Sequence, residues 1–442
     1  MNRSYENARE VISQLNVAGY EAYFVGGFVR DTLMGIDVTA DYDICTSALP
    51  EQVKQVFTKT FDTGIAHGTV TVLLGGDAFE VTTYRIDGEY TDNRRPDEVH
   101  FTTDLYEDLK RRDFTINAMA MTLSGEVIDP FGGRIDLDKK IIRAVGNPVE
   151  RFTEDPLRIL RGIRFLAQLG AEFQIEDDTL TAMKSQAPRL QKISQERIQV
   201  ELVKTITGSN LSALRVAYEN GITKEFLPEF DVMMACEQNN PHHCYTVGEH
   251  TLKTLENIPA DRVLRLTMLL HDVAKPATKT TDEKGIDHFY GHPEAGAEMA
   301  REILRRLKFD NDTIREVKHL VRWHDYRPAP TPKSVRRAVA KIGEDYFPLY
   351  LQIRRADTAG QSDYQRVEKF ATIDQIEDLF NDIMETGVAI DLKKLAVDGR
   401  DLIEHGFEAG PQLGAVLQEL LETVIEEPEL NEKDVLLKLA KQ

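Results

Sequence analysis

The sequence predicts a small mixed α/β head followed by a long and almost wholly helical body. Two observations carry that expectation. Strand-like apolar runs are confined to roughly the first 150 residues, and beyond them apolar residues recur at helical spacing between Gly/Pro breaks. The 442 residues suffice for about two to four domains.

Taken in order, residues 5–18 read as an amphipathic helix. Tyr23-Phe24-Val25 is a short strand running into Gly26-Gly27, and Tyr42 to Cys45 forms a second. Residues 69–74 and 78–84 flank Gly75-Gly76-Asp77 as a hairpin. Val127-Ile128 closes the region before the turn Asp129-Pro130-Phe131-Gly132-Gly133. Residues 156–170, 195–207 and 211–220 have helical periodicity, and breaks at 235–242 and 326–332 divide the second half. The expected division is a head over 1–150, a helical neck over 151–235, a helical domain over 236–360 and a helical tail over 361–442.

Hydrophobic residues at 41% and charged residues at 29% describe a soluble globular chain. The net charge of −20 argues against a surface coated with basic groups, though not against RNA as a substrate. Local clusters such as Lys110-Arg111-Arg112, Arg94-Arg95 and Arg354-Arg355 remain for phosphates. Cys45, Cys236 and Cys244 are too few and unpatterned for a disulfide framework, which fits the cytoplasm. No apolar run reaches about 18 residues, so no membrane span is expected.

The first chemical signal is Gly26-Gly27-Phe28-Val29-Arg30-Asp31 followed by Asp41-Tyr42-Asp43. On a strand, residues i and i+2 share a face, so Asp41 and Asp43 project side by side. Two adjacent carboxylates repel unless a cation lies between them, and Mg²⁺ takes such oxygens together with substrate phosphates. The Gly-Gly turn lets a triphosphate approach the backbone, Arg30 adds charge, and Glu80 is a candidate third ligand. A solvent-facing strand end is the alternative for D-x-D alone.

The second signal is Glu154-Asp155-Pro156-Leu157-Arg158, with Arg161 and Arg164 following. Asp155 suits a helix cap and Pro156 the first helical position. Arg158, Arg161 and Arg164 then share one broad face. An ionised Asp accepts and Arg donates, so Asp155 and Arg158 present an acceptor beside a donor. Cytosine and adenine each offer an amine donor beside a ring-nitrogen acceptor; uracil and guanine offer the reverse and would leave polar groups unpaired. A capped helix with solvated arginines is the other reading of these residues.

Together these segments resemble the class II tRNA nucleotidyltransferases (CCA-adding enzymes) and their relatives, the bacterial poly(A) polymerases. Residues 26–31 with 41–43 resemble the first motif of that family, 111–119 the second, 129–133 the third, 154–161 the fourth and 194–198 the fifth, in the family's order. The resemblance implies a polymerase β-like head in which Asp41 and Asp43 bind Mg²⁺. It further implies that Gly27, Arg30, Arg112, Asp155, Arg158, Arg161 and Arg164 contact the incoming nucleotide, with tRNA, CTP and ATP as partners and no DNA. The polar stretch over 85–96 corresponds to the family's loop for switching from C to A addition. Addition of A alone and poly(A) synthesis are the alternatives. The acidic end of the chain, with Glu426-Glu427 and Glu429, disfavours the latter.

Eight of the eleven histidines fall between positions 242 and 324. His271-Asp272, with His250 before and Asp357 after, resembles the HD metal-dependent phosphohydrolase motif. That resemblance implies a divalent-metal site on His250, His271, Asp272 and Asp357, with His292 available to a second metal, and hydrolysis of cyclic phosphates or phosphomonoesters. His242-His243, His319 and His324 are expected on the surface or facing RNA, and Trp323 is expected to pack. A hydrolase with an RNA-binding head is the corresponding alternative.

Overall fold

A computed structural model of the chain describes residues 3–37, 42–87, 99–240 and 244–441. Asp41, Arg94-Arg95, most of the expected switching loop and His242-His243 lie outside them. The chain divides into two compact units, Met1–Pro228 and Glu229–Gln442.

The first unit opens with the helix Arg3–Val17, which buries Ala8, Val11, Ile12 and Leu15, the stripe expected of an amphipathic helix. Its head strands are β1 (Ala22–Val25), β2 (Ile44–Thr46), β3 (Thr60–Gly64), β4 (Thr69–Leu74), β5 (Asp77–Thr83), β6 (Arg85–Asp87), β7 (Val99–Phe101), β8 (Ala120–Met121) and β9 (Val127–Ile128). Seven form one mixed sheet in the order β3-β4-β5-β2-β1-β8-β9, while β6 and β7 make a separate ribbon. The β2–β5 pair is parallel; the other pairs are antiparallel. Alternation sends Val70, Val72, Phe79 and Val81 inward.

The hairpin joining β4 to β5 is tighter than the sequence suggests. Asp77 belongs to β5 and pairs with Leu74. The two-residue loop Gly75-Gly76 has φ of 64° and 98°, values that glycine adopts without steric cost. The strand expected from Tyr42 begins instead at Ile44, with Asp43 on its approach.

The head is followed by the helices Pro148–Glu154, Leu157–Leu169, Asp177–Gln186, Gln195–Ile206 and Ser212–Glu219. Leu157–Leu169 packs along Gln195–Ile206. The former is joined to the preceding helix through Asp155 and Pro156 alone.

The second unit is almost wholly helical. Val247–Glu256, Arg262–Leu270, His292–Arg306, Asn311–Trp323 and Phe347–Gly360 form its first part; Pro332–Ile342 and Arg366–Thr386 pack on Phe347 and Tyr350 in an apolar cluster. A second cluster gathers Leu402, Leu420, Val424 and Leu436. The expected breaks fall between Ala235 and Val247 and between Trp323 and Pro332. No helix among the described residues is long and apolar enough to cross a membrane.

Candidate functional sites

In the head, Tyr42 is buried among Tyr5, Phe24, Phe28 and Phe79, so strand alternation turns the exposed Asp43 away from the core. Ile44 and Val81 are register partners on parallel strands, which sets Asp43 level with the exposed Glu80. Both carboxylates line a cavity of about 230 Å³ with Thr69, Thr82, Arg111 and Arg112. Hard oxygen donors beside open space suit Mg²⁺.

Gly26, and not Gly27, is the glycine that this geometry requires. Its φ is 69°, and a Cβ there would lie 3.3 Å from Arg112 Nη1 and 3.5 Å from Asp43 Oδ2. A Cβ at Gly27 would only touch Arg30 Nη2 at 3.6 Å. Arg112 and Asp43 therefore share the space above one glycine. Buried Asp108 holds the arginines there, accepting from Arg111 Nη2 at 2.9 Å and Arg112 Nη2 at 3.1 Å. Burial acts to lower the Arg112 pKa, but the carboxylates of Asp108 and Asp43 outweigh it and the net shift is upward.

The other arginines are anchored by carboxylates. Arg161 Nε donates to Asp113 Oδ2 at 2.6 Å, and Arg164 Nε to Glu201 Oε2 at 2.6 Å. Burial pushes the Asp113 carboxyl up, yet the Arg161 guanidinium outweighs it and holds the group at about 2. Arg30 donates Nη1 to Asn117 Oδ1 at 2.8 Å. Arg30, Arg161 and Arg164 all converge on the buried Phe165 ring, at 5.4, 5.6 and 4.2 Å from its centroid. Three of the expected nucleotide contacts, from the head and the neck, thus meet at one aromatic side chain.

Asp155 caps as its sequence suggests: Oδ1 accepts the Leu157 amide at 3.0 Å. Its Oδ2 accepts Arg197 Nη2 at 2.8 Å. Arg158 is buried at 7% exposure, and donates to Glu154 Oε2 at 2.8 Å and to the Arg111 carbonyl at 2.8 Å. This burial excludes a solvated arginine face. The third motif supports the second: Asp129 accepts the amides of Gly133 and Arg134 at 2.7 and 2.9 Å, and a Cβ on Gly133 would stand 2.2 Å from the Thr115 carbonyl oxygen.

In the second unit, His250, His271, Asp272 and Asp357 come together as expected, and His292 joins them. The correction concerns His324, expected at the surface or facing RNA. It is 2% exposed, and its Nε2 lies 3.2 Å from His292 Nε2. His319 is half-buried, and Trp323 packs edge-on against Tyr326.

The tautomers can be read from the partners. The Nδ1 atoms of His250, His271, His292 and His324 face the carbonyls of Gly360, Met268, Phe289 and Val321 at 3.1, 2.7, 2.8 and 2.6 Å. A carbonyl only accepts, so each Nδ1 carries a proton, and in its neutral form each ring presents an Nε2 lone pair. His250 and His271 point these nitrogens at each other across 3.3 Å. Facing lone pairs repel, and a cation removes the conflict.

Asp272 lies between the two pairs. Its Oδ2 is 3.2 Å from His271 Nε2 and 3.6 Å from His250 Nε2, and its Oδ1 is 3.5 Å from both His292 and His324. Oδ2 is buried without an aligned donor, although Lys275 Nζ approaches to 2.7 Å. Two triads with metal-ligand spacing therefore share one carboxylate. Mixed imidazole and carboxylate donors suit Mn, Fe, Ni or Zn.

Sequence reasoning missed Asp108, Glu201 and His324 as members of these sites, and placed Arg197 in the fifth motif without a role. Asp108 had a local signal, standing three and four residues before the arginines it binds. The others meet their partners only through the fold.

Comparisons with known proteins bear on the whole chain. Residues 22–143 match the Poly A polymerase head domain, 172–234 the probable RNA and SrmB-binding site of polymerase A, and 279–440 the tRNA nucleotidyltransferase domain 2 family. Over 438 residues the chain is 39% identical to the CCA-adding enzyme of Levilactobacillus brevis, spanning 98% of this chain and 96% of that protein. It is 36% identical to the CCA-adding enzyme of Enterococcus faecalis over 448 residues, with coverage of 99% and 96%. The crystal structure of the Bacillus stearothermophilus CCA-adding enzyme in complex with CTP aligns with a TM-score of 0.75 at 31% identity, covering 100% of this chain and 98% of that one.

Proposed function

The chain belongs to the CCA-adding enzyme family, and from that premise we propose how its parts divide the work. Its activity is template-independent addition of C, C and A to the tRNA 3′ end from CTP and ATP. The 3′ hydroxyl attacks the α-phosphate and pyrophosphate leaves. Asp41 and Asp43 would hold the divalent ion, Mg²⁺ in our reading, which supplies charge stabilisation at the phosphates. Gly27, Arg30, Arg112, Arg161 and Arg164 bind the nucleotide, the arginines offsetting the negative charge of its triphosphate.

Base choice falls to Asp155 and Arg158, the carboxylate accepting from the exocyclic amine and the guanidinium donating to the ring nitrogen. The observation that supports this is the full set of partners both side chains have without a base. Arg197 holds Asp155, and the Arg111 carbonyl and Glu154 hold Arg158. A matching base replaces these bonds in kind; uracil or guanine leaves buried groups unpaired, and that asymmetry is what discriminates. The division at 150, 235 and 360 into head, neck, HD-type domain and tail, and a cytoplasmic site of action, belong to the same reading.

The test is extension of a tRNA lacking the terminal triplet and of one ending in C-C, with each nucleotide alone and in combination. Three additions stopping after A are expected. Addition of A alone, or a long A ladder, would transfer the chain to the corresponding alternative.

A second reading concerns the unit from Glu229. Four proton-fixed histidines around the carboxylates of Asp272 and Asp357 support a two-metal phosphoesterase centre. His250, His271, Asp272 and Asp357 would hold one ion, and Asp272, His292 and His324 the other. Bound metals supply an activated water and charge stabilisation at phosphorus. Metal content of the purified chain, with phosphate release from simple phosphoesters, tests it.

A further inference from the structure

Resting on the phosphoesterase reading, we propose that Tyr290, braced by His288, is a stacking platform for a nucleobase. The centre would then act on nucleoside phosphoesters in preference to phosphoesters without a base. Tyr290 is 77% exposed at the edge of a cavity of about 310 Å³ that also contains Asp272, His292, His324 and Asp357. That volume lies at the lower end of the small-molecule range, about 300–1,000 Å³, and suits one nucleotide.

The platform is built rather than loose. The rings of Tyr290 and His288 are stacked, with centroids 5.3 Å apart and planes 7° from parallel. The Tyr290 hydroxyl lies 3.4 Å from His288 Nδ1, and His288 Nε2 is 3.0 Å from Asp282 Oδ2. His288 overlaps part of one ring face, while most of the tyrosine surface remains in water. Gly291, at φ 74°, turns the chain from the platform directly into His292. The base surface and the metal-ligating imidazole are therefore fixed by adjoining backbone.

The cavity also carries cations for a phosphate. Arg327 lines it, oriented by Asp325 Oδ1 at 2.6 Å, as does Lys275. An exposed π surface, two cations and buried imidazole and carboxylate groups lining one cavity match the base, the phosphate and the scissile bond of one nucleotide. In the reaction, water oxygen bonds to phosphorus and the ester P–O bond breaks. The departing nucleoside oxygen takes up a proton, giving a nucleoside hydroxyl and, from a monoester, inorganic phosphate.

The experiment uses the full-length, metal-loaded chain and its Tyr290→Ala and Tyr290→Phe variants. Binding of adenosine 3′-monophosphate and of glycerol 2-phosphate is followed by calorimetry, and phosphate release from both is measured. Alanine is expected to weaken nucleotide binding and raise its KM by roughly tenfold to a hundredfold, the usual effect of losing one stacking partner. Phenylalanine should restore both, and glycerol phosphate should be unaffected. Nucleotide binding at the head is common to all three proteins and cancels in the comparison. A tRNA ending in a 3′-phosphate, run beside the free nucleotide, shows which source of the same chemistry is preferred. Equal nucleotide binding and KM in wild type and Tyr290→Ala, with glycerol phosphate still hydrolysed, would overturn the platform alone. Hydrolysis of neither compound, with no bound metal, would overturn the phosphoesterase reading and the platform with it.

Discussion

Arg197 donates from Nη2 to Asp155 Oδ2 at 2.8 Å, while the other oxygen of that carboxylate caps the helix Leu157–Leu169. Asp155 is thus fixed at both oxygens, one by backbone and one by a side chain of the fifth motif. Removing Arg197 leaves the cap in place and lets the carboxylate rotate about it.

Arg197→Met should therefore change selectivity more than stability. The pair is partly exposed, and its loss should cost no more than about 1 kcal/mol of folding. The kcat/KM ratio of CTP over UTP should fall by roughly tenfold, because discrimination depends on an acceptor held in one orientation. Single-turnover extension of a tRNA lacking the triplet measures that ratio. An unchanged ratio with an overall slower rate would remove Arg197 from base selection.

Gly133 tests whether the third motif is a support for the second. Its missing Cβ would stand 2.2 Å from the Thr115 oxygen and 2.9 Å from the Thr115 carbonyl carbon. Backbone cannot yield as a flexible side chain can. Gly133→Ala should destabilise the first unit by about 1–3 kcal/mol, a fall of several degrees in its thermal midpoint, and should slow addition of C and A alike. A midpoint unchanged by the substitution would show that the two segments separate at little cost.

Asp113 predicts a pH dependence with a definite sign. Its carboxyl is held at about 2 in the folded chain, against the ordinary 3.8. A carboxyl with a depressed folded pKa contributes its stability above the unfolded pKa and loses it as pH falls toward the folded value. The contribution is on the order of 2 kcal/mol, present at pH 6 and fading from about pH 4 to pH 2. Denaturant unfolding of wild type and Asp113→Asn should show that gap at neutral pH and its closure in acid. A gap constant across the window would place its origin outside the Asp113–Arg161 pair.

What the sequence made legible follows from range along the chain. The helix Arg3–Val17 and the β4–β5 hairpin announce themselves through local periodicity and a glycine turn. Strand β3 does not, because it lies at a sheet edge with Phe61 turned outward at 58% exposure. Among site residues, Asp43, Arg30 and Arg161 stand in short ordered motifs. Glu201 reaches Arg164 from 37 positions away, and nothing in its own surroundings indicates that pairing. His324 was obscured differently. It follows Trp323 at the end of a strongly amphipathic helix, where a polar residue reads as solvent-facing, and only the packing of Asn311–Trp323 against His292–Arg306 carries it inward.

That misread histidine supplies the most direct test of the second unit. If Asp272 serves two metals, the pair His292–His324 binds an ion separate from that of His250 and His271. His324→Ala should then reduce bound divalent metal from about two ions per chain to about one. Because a folded-state ligand at a hundred times its Kd adds about 2.7 kcal/mol, chelation should lower the thermal midpoint of the second unit in wild type and do so less in the variant. Nucleotide addition by the first unit is expected to be insensitive to His324→Ala, since none of its nucleotide-binding residues belongs to this cluster. Elemental analysis after dialysis, paired with calorimetric scans with and without chelator, separates the outcomes. Equal metal content in the two proteins would show that the His292–His324 pair, whose nitrogens approach to 3.2 Å, is not a ligand pair.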